Sequence, residues 1–506
     1  MKNYDYVIVG GGSAGCTLAA RLTEDPNVHV LLLEAGPDYT EDELPTELGS
    51  SHNLTVSHDW GFQSEPLAGG RRVPLPRGRV LGGCSATNAT YAVRGHRADY
   101  AIWAEMLGRE WQVDDVVAAF KKMEHDLDFQ SELHGMGGPL PIRRYGKSEL
   151  SPFQRAFLAA AETAGHARVA DHNDLASIGA GPAPMTSLNV LRQSVARRYV
   201  WPQRTRENLT IRSGALVDRI RFDGTKAVAV VLADGNEVEG DRIVLSAGSY
   251  CTPAILMRSG VGPEEELAAH GIATTLAQPD VGAHLADHPL VVVAYAAPPP
   301  TLDGALRGTV ESTPHYQTLL TFRSSLHQGD GYDMHIVPQT VLPMAESPTG
   351  AAFAFLCSVV RPRSTGRVTL ASKDPNELPR IDTGYLQHPD DRKRLVECVR
   401  MARSLAMTAP LSDFAAMELA PGGGASDDEA LGAFVDANVT TYFHPTSTCR
   451  MGTGKDAVVD VHGKVNGLDN LWIVDASVMP RIPAINTNLP TVMIAERAAG
   501  WLTAGK

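Results

Sequence analysis

A glycine-rich motif between two apolar runs near the N-terminus constrains the fold most strongly. Gly10, Gly12 and Gly15 form the pattern GxGxxG, and the flanking runs Tyr4–Val9 and Val28–Leu33 are nearly continuously apolar. Such runs are typical of strands buried on both faces, and the segment between them has the length of one helix. The sequence therefore predicts a strand, a loop, a helix and a second strand within about 30 residues.

The spacing of these glycines predicts a dinucleotide-binding site. Gly10 permits a tight turn, Gly12 lets the backbone approach a pyrophosphate, and Gly15 lets the helix pack closely on the strand. The helix N-terminus would then face the phosphates. Glu34 follows the glycines by about 20 residues, where an acid accepts from ribose hydroxyls. A glycine-rich turn without a ligand is the alternative, and the motif does not distinguish NAD from FAD.

The composition excludes some classes of partner. The chain has 506 residues, of which 43% are hydrophobic, and its formal net charge is −13. This length is sufficient for two or more lobes with sizeable cores. The negative charge argues against nucleic acid or an anionic membrane as a main partner.

We expect a cytoplasmic protein. The six cysteines lie far apart with no CxxC pair, which suggests neither a zinc site nor a disulfide framework. The first buried strand is predicted from residue 4, so no signal peptide is expected, and no apolar run is long enough to span a membrane.

Apolar periodicity predicts a second kind of sheet in the later part of the chain. Residues 37–70 are polar and irregular, which is typical of a loop or lid. Helices are predicted at Gln154–Gly165 and Ser194–Trp201, and strands at Leu209–Phe222, Ala227–Leu232, Arg242–Ser246, His315–Phe322, Asp333–Val337 and Ala352–Val359. The last three follow a predicted connector, ALRGTVESTP, and lack the spacing of βαβ units. An antiparallel sheet is therefore expected there.

A second segment, Pro76–Gly95, also suits a large ligand. Its sequence PRGRVLGGCSATNATYAVRG combines Arg77, Arg79 and the pair Gly82-Gly83 with small polar residues. Backbone of this kind can lie against a phosphate-bearing molecule, and a glycine-rich surface loop is an equal alternative.

Together these segments resemble the glucose–methanol–choline (GMC) family of FAD-dependent oxidoreductases. GGCSATNAT is similar to the first family signature and GSYCTPAILMRSGVG, at Gly248–Gly262, to the second. Asp280–Pro289, Phe443–Gly452 and Val474–Ala499 resemble three further blocks, so the resemblance covers essentially the whole chain. It implies an α/β FAD-binding Rossmann-like domain plus an α+β substrate-binding domain with an antiparallel sheet. The predicted boundaries are 1–155, 195–297 and 440–506 for the FAD-binding domain, and 156–194 and 298–439 for the substrate-binding domain.

The resemblance also implies which residues hold the cofactor. A single GxGxxG fits a flavin that takes hydride directly from an organic substrate, because a flavoenzyme reduced by NADH usually needs two dinucleotide sites. The predicted FAD contacts are Gly10, Gly12, Ser13, Ala14, Gly15, Glu34, Ala35, Arg79, Gly82, Gly83, Asn88, Ala92, Val217, Ala247, Asp475, Ala476, Asn488 and Thr491. Thr87 stands where some relatives tether FAD through a histidine, and His96 lies well beyond that place, so non-covalent FAD is predicted.

His444 is the predicted catalytic residue. A histidine on such a loop could be a general base, a metal ligand or a structural residue. The resemblance favours the general base, and no metal site is predicted because Cys449 is the only nearby soft ligand. The family places a second hydrogen-bond donor in the C-terminal block. Aligning NTNLPT with that block indicates Asn488, with Asn486 as the neighbour it could be confused with.

The sequence therefore predicts FAD-dependent oxidation of a primary or secondary alcohol, with oxygen or another acceptor reoxidising the flavin. A hydroxynitrile-lyase activity on the same fold and a flavin-binding protein without catalysis are the alternatives. Choline is weakly disfavoured, because an aromatic cage suits a quaternary ammonium and aromatics make up only 6% of the chain. By alternation, His335, Val337 and Gln339 are candidate substrate contacts. The sequence does not separate an oxidase from a dehydrogenase.

Overall fold

Two sheets of different kinds organise the chain. In the computed structural model, which describes residues 4–299, 313–454 and 456–504, one sheet is parallel and the other antiparallel. Each has its own hydrophobic core, the first around Tyr6–Val9 and the second around Phe353 and Phe355. Residues 305–312 of the predicted connector lie outside the described residues.

The secondary structure alternates short strands with helices. The strands are β1 (Tyr6–Val9), β2 (Val30–Leu33), β3 (Glu124–Asp126), β4 (Leu140–Ile142), β5 (Ala180–Pro182), β6 (Ser187–Leu188), β7 (Leu191–Arg192), β8 (Leu209–Arg212), β9 (Val217–Asp223), β10 (Lys226–Leu232), β11 (Glu237–Glu239), β12 (Arg242–Leu245), β13 (Val261–Gly262), β14 (Leu276–Ala277), β15 (Pro289–Ala296), β16 (Thr318–Phe322), β17 (Met334–Pro343), β18 (Ala351–Val359), β19 (Arg367–Thr369), β20 (Arg380–Asp382), β21 (Met417–Ala420), β22 (Thr440–Thr441) and β23 (Leu471–Ile473). The helices are α1 (Ser13–Leu22), α2 (Thr46–Gly49), α3 (Arg97–Leu107), α4 (Val113–Met123), α5 (Pro152–Thr163), α6 (Gly248–Arg258), α7 (Glu264–Ala269), α8 (Pro389–Ala406), α9 (Asp428–Asn438) and α10 (Asn488–Ala504). Within the described ranges, none of these helices has the length and apolar character needed to cross a membrane.

The parallel sheet is the dinucleotide-binding element that the glycine motif predicted. Its strand order is β23-β12-β1-β2-β8, and every pair in it is parallel. All residues of β1 and β2 are buried, as their apolar sequences require. Helix α1 follows β1 directly through the glycine loop, so the predicted strand–loop–helix–strand unit is confirmed.

The antiparallel sheet has seven strands and forms the second lobe. Its order is β21-β15-β18-β17-β16-β5, with β22 paired to β15. The expected antiparallel pairing of the segments near residues 318–359 is confirmed. Strand β15 also belongs to this sheet although it precedes the predicted boundary at 297/298, and the domain boundaries themselves stay a prediction.

A buried cluster of charged side chains contacts the segment between Ala92 and α3 through Arg94. In this cluster, called here the His134 cluster, the imidazole of His134 lies within 3.3 Å of carboxylate oxygens of Glu124, Asp126 and Asp171. Ligand atoms of Glu124, Asp126 and His134 lie within 4.8 Å of one another, which is compatible with a cation site. Arg94 and Arg144 already pair with these carboxylates, however. We therefore interpret the cluster as a buried ion-pair network, and the absence of a metal stays a prediction.

The protonation of His134 should make stability depend on pH. Burial alone would lower its pKa, but hydrogen bonds to three carboxylates outweigh burial and raise the pKa from 6.5 to about 10. A raised pKa in the folded state contributes stability that is complete below about pH 6.5 and is lost as the pH approaches 10. We expect His134→Gln to lower the free energy of unfolding by about 3–5 kcal/mol at pH 6. Urea denaturation should show this difference shrinking as the pH rises to about 10.

The matched control is His29→Gln, because His29 lies 3.7 Å from Asp5 in a pair whose side chains are partly exposed to water. That variant should change stability by less than about 1 kcal/mol at any pH. A His134→Gln difference that stays constant from pH 6 to 10 would show that His134 is not charged in the folded protein.

Candidate active site

The glycine loop after β1 shapes a cradle that fits a pyrophosphate. Gly10 has a φ of +99°, and a Cβ at Gly15 would lie 1.9 Å from the Gly10 carbonyl oxygen, so both positions require glycine. A Cβ at Gly12 would meet nothing within 4 Å, because this residue faces a large cavity. Helix α1 has no side-chain cap, which leaves its first N–H groups free to face that cavity. The loop therefore fits the phosphates of a bound dinucleotide.

Glu34 lies at the same end of the cavity. The Gly11 N–H donates to its Oε2 at 2.8 Å, and the Gly36 N–H donates to its Oε1 at 2.7 Å. Burial raises its pKa to about 7. Each carboxylate oxygen retains a second lone pair that can accept from a ribose hydroxyl.

Most of the predicted cofactor residues line this one cavity. The lining contains Gly10, Gly12, Ser13, Ala14, Glu34, Ala35, Gly83, Asn88, Val217, Ala247, Asp475, Ala476, Asn488 and Thr491. Four predicted contacts stand outside the lining that the described residues form, namely Gly15, Arg79, Gly82 and Ala92. Gly15 packs under the loop, the Gly82 N–H donates to the Gly11 carbonyl, Arg79 stacks on Trp60 and Ala92 is fully buried. Their predicted contacts with FAD stay a prediction.

Asp475 lines the cavity and hydrogen-bonds to two of the segments around it. Its Oδ2 accepts from the Gly248 N–H at 2.9 Å and from Thr252 Oγ1 at 2.6 Å, and its Oδ1 accepts from the Ser477 N–H at 2.8 Å. Burial raises the pKa of this carboxyl group, and these hydrogen bonds oppose the shift. The carboxylate thus joins the end of β23 to the start of α6, and its predicted contact with FAD stays a prediction.

His444 lines the same cavity. It follows Phe443, whose φ of +70° gives the sharp turn after β22 that aims the imidazole inward. The side chain is only 7% exposed, and its ring lies 4.6 Å from the ring of Tyr442. Burial, reinforced by the nearby His288, Arg77 and His335, holds the pKa of His444 well below its usual range. The imidazole is therefore neutral at physiological pH and can accept a proton.

Asn486, rather than Asn488, lies beside this histidine. The Nδ2 of Asn486 is 3.1 Å from His444 Nε2. Asn488 is the first residue of α10, where its Oδ1 accepts from Ser13 Oγ at 2.7 Å. The geometry therefore favours Asn486 over Asn488 as the donor beside His444, because the start of the helix turns Asn488 toward the glycine loop, and the catalytic role of either residue stays a prediction.

A buried carboxylate that the sequence did not single out fixes the His444 loop. Asp287 Oδ1 accepts from the N–H groups of His288 and His444, both at 2.8 Å. Its Oδ2 accepts from Thr441 Oγ1 and from Tyr385 Oη, both at 2.6 Å. Asp287 and His288 lie in the block Asp280–Pro289, so that block was the available signal.

The predicted substrate contacts are only partly in place. Val337 lines the cavity, whereas His335 and Gln339 are not part of the lining that the described residues form. Strand β17 turns His335 into the core, where it is fully buried between the rings of Tyr332 and Tyr442. The three residues share one face of β17, and of these only Val337 lies in the described cavity lining, because His335 packs against the ring of Tyr442 instead.

Two family models match most of the chain. Both are described as GMC oxidoreductase, and they cover residues 4–290 and 362–495. The chain belongs to the GMC oxidoreductase family. The predicted family, fold class and enzyme class are thus confirmed, and the family is one of FAD-dependent oxidoreductases.

Three relatives of this GMC oxidoreductase illustrate the similarity. It is 33% identical to an oxygen-dependent choline dehydrogenase of Photobacterium profundum, covering 98% of this chain and 92% of the relative. It is 36% identical to the mitochondrial choline dehydrogenase of Mus musculus, and this match covers 98% of this chain and 89% of the relative. The crystal structure of pyridoxine 4-oxidase from Mesorbium loti has a TM-score of 0.90 and 34% identity, with 99% of both chains covered.

Two glycine substitutions should separate cofactor binding from folding. We expect Gly12→Ala to weaken FAD retention roughly tenfold or more, because its methyl group would enter the cavity without touching the protein. Gly15→Ala should instead lower the stability of the fold by about 1–3 kcal/mol, because its methyl group would overlap the Gly10 carbonyl. Flavin absorbance of the purified protein and its thermal unfolding without FAD measure the two effects.

Gly500→Ala in α10 is the control, because a Cβ there meets nothing within 4 Å and lies outside the cavity lining. Equal loss of stability in the Gly12 and Gly15 variants would contradict the assignment of separate roles.

Proposed function

We propose that this GMC oxidoreductase oxidises a primary or secondary alcohol with FAD, and that His444 is the general base. One observation supports this most directly. A neutral, buried imidazole and the dinucleotide cradle line the same cavity. A cofactor held at Gly12 can therefore extend to a substrate held at His444.

His444 would take the hydroxyl proton of the alcohol at Nε2. An alcohol is too weak an acid to ionise unaided at neutral pH, and a neutral imidazole within hydrogen-bond reach can accept or share its proton. Asn486 Nδ2 lies 3.1 Å from this nitrogen, so a bound alcohol would take over that contact, with its hydroxyl donating to Nε2 and its oxygen accepting from the Asn486 amide. FAD, when bound, supplies the acceptor for the hydride of the carbinol carbon.

The walls near His444 suggest an alcohol with an apolar body. The antiparallel sheet and the loops that pack on it contribute Val337, Leu356 and Tyr316 to the lining, and Tyr91 and Tyr442 complete it. The low aromatic content that disfavoured choline is therefore a weak argument, because aromatic residues are concentrated at this cavity. With two similar proteins named choline dehydrogenase, choline is the second candidate substrate.

Non-covalent attachment of FAD is supported by the histidines near the cavity. Thr87 lies in the lining where some family members carry a tethering histidine. His96 caps α3, its Nδ1 accepting from the Ala98 N–H at 3.1 Å. His58 lines the cavity, but its ring nitrogens contact Tyr39 and Ser57, both at 2.9 Å.

Acid denaturation followed by ultrafiltration should release the flavin. All yellow colour is expected in the filtrate, since Thr87 stands at the tethering position and the ring nitrogens of His58 are hydrogen-bonded to Tyr39 and Ser57. Absorbance at the flavin bands of filtrate and retentate measures this. Flavin that stays with the denatured protein would show a covalent bond.

Replacing His444 should abolish most of the chemistry while FAD stays bound. We expect His444→Ala to slow anaerobic flavin reduction by an alcohol by roughly two to four orders of magnitude, because the proton acceptor is lost. Stopped-flow absorbance across a panel of alcohols that includes choline measures the rate, and later admission of air tests oxygen as the acceptor. The exposed His462 provides the control variant His462→Ala, which should behave as wild type.

Unchanged reduction in His444→Ala would overturn its assignment as base. A wild-type enzyme whose flavin is bleached by no alcohol, but which cleaves a cyanohydrin, would favour the lyase alternative.

The two asparagines should have separable effects. Asn486→Ala should slow flavin reduction roughly 100-fold with normal FAD content, because a donor beside the reacting oxygen is lost. Asn488→Ala removes the hydrogen bond to Ser13 and should lower FAD retention, while the enzyme molecules that keep FAD react at near the wild-type rate. FAD titration and stopped-flow reduction of each variant distinguish the roles, and the opposite pattern would restore Asn488 as the substrate-orienting residue.

A further inference from the structure

The histidine that follows Asp287 lies directly behind His444. His288 is fully buried at the start of β15, and its Nδ1 is 2.9 Å from His444 Nδ1. The two rings are 5.1 Å apart between centroids and inclined at 80°. The contact is a hydrogen bond between two imidazoles, formed on the side of His444 that faces away from Asn486.

Such a bond requires a proton on one nitrogen and a lone pair on the other. Burial lowers the pKa of His288 to about 3, so this ring is neutral and carries a single N–H. The surroundings of His288 decide where that hydrogen lies. The backbone carbonyls of Val360 and Pro483 face the ring and favour a proton on it.

The nitrogen available to those carbonyls is Nε2, since Nδ1 is engaged with His444. Nε2 makes no hydrogen bond of standard geometry within the described residues, but carbonyl oxygens repel a lone pair and attract an N–H. A hydrogen on Nε2 leaves Nδ1 of His288 as an acceptor. His444 must then donate from its own Nδ1, and its Nε2 carries the lone pair.

The contact on the other side of His444 agrees with this assignment. Asn486 Nδ2 is a donor, and it lies 3.1 Å from His444 Nε2, which is therefore an acceptor. With the Asn486 amide nitrogen facing His444, the hydrogen bonds run from that amide through His444 and His288 toward the backbone carbonyls. The reverse direction would place a lone pair of His288 against two carbonyl oxygens.

We propose that His288 is a positioning residue that fixes the tautomer of His444, so that the Nε2 lone pair faces the alcohol. This rests on the proposed role of His444 as base. The alcohol proton moves to His444 Nε2, and the Nδ1 hydrogen stays in place, donating to His288 Nδ1 throughout. Because imidazole nitrogens are equivalent in proton affinity to within a small factor, the base would otherwise present an N–H to the substrate in a large fraction of molecules.

The test reads the tautomer directly in the FAD-loaded enzyme. Long-range NMR correlation of protein labelled with ¹⁵N-histidine distinguishes a protonated ring nitrogen from one with a lone pair, and His444→Ala identifies the His444 signals by their loss. We expect His444 to carry its hydrogen on Nδ1 and His288 on Nε2. A hydrogen on His444 Nε2 would overturn the proposal.

Two variants connect the tautomer to the reaction. His288→Leu removes the acceptor and should slow anaerobic flavin reduction roughly 10- to 100-fold with little change in KM, together with a mixed tautomer of His444. His288→Asn places a carbonyl oxygen near the former Nδ1 and should restore most of the rate and the Nδ1–H tautomer. His172→Leu is the control, because His172 is a similarly buried neutral histidine on another part of the antiparallel lobe.

These outcomes separate the two hypotheses. Should His444 show the expected tautomer while no alcohol reduces the flavin, the proposed function fails and the tautomer assignment stands. Should His288→Leu and His288→Asn be equally slow, or His288→Leu react at the wild-type rate, the positioning role is refuted while His444 remains the base. The wild-type NMR measurement needs no variant of His288 and decides the tautomer even if His288→Leu does not fold.

Discussion

One buried carboxylate, Asp287, fixes the loop that carries His444. Asp287 receives four hydrogen bonds, from the backbone of His288 and His444 and from the hydroxyls of Thr441 and Tyr385. Removing a carboxylate from water is costly, and burial raises the pKa of Asp287. The four hydrogen bonds oppose this shift and offset the free-energy cost of burying the charge. They also connect segments that lie about 150 residues apart in the sequence. The turn at Phe443, with its positive φ, is kept in place by this network.

Two other carboxylates in the cavity lining, Asp475 and Glu34, also accept hydrogen bonds from backbone N–H groups. Asp475 accepts from the backbone of Gly248 and Ser477, and Glu34 accepts from that of Gly11 and Gly36. Each carboxylate satisfies N–H groups of a loop that faces a cofactor-sized cavity. The hydrogen bond between Ser13 and Asn488 then joins the glycine loop to the helix that closes the chain. Hydrogen-bonded loops thus form the walls of the cavity, and His444 and Asn486 both lie in its lining.

Much of this could be predicted from the sequence, because the decisive signals are local. The glycine spacing dictates the turn, the cradle and the helix start within one short segment, and the apolar runs beside it form the expected strands. His444 could be singled out because its block resembles a family signature. The sequence does not distinguish Asn486 from Asn488 as the residue beside His444, because both are asparagines and they are only two residues apart. The position at which α10 begins determines which of them faces His444.

Sequence patterns do not predict contacts between segments that are far apart in the chain. Asp287 and His288 stood in a recognised block, yet their link to His444 depends on how β15 and β22 pair in the antiparallel sheet. His335 shows the same limit, because alternation places it on the same face of β17 as Val337 but does not reveal that it packs against Tyr442 from a distant segment.

The central claim is that one cavity brings a bound FAD to His444. A crystal structure of the FAD-loaded enzyme tests it most directly. The account predicts the pyrophosphate at Gly12 and the start of α1, with the flavin ring beside His444 Nε2 and Asn486 across a gap that one alcohol group fills. A flavin ring that lies away from His444, or a pyrophosphate bound elsewhere than at the glycine loop, would contradict it.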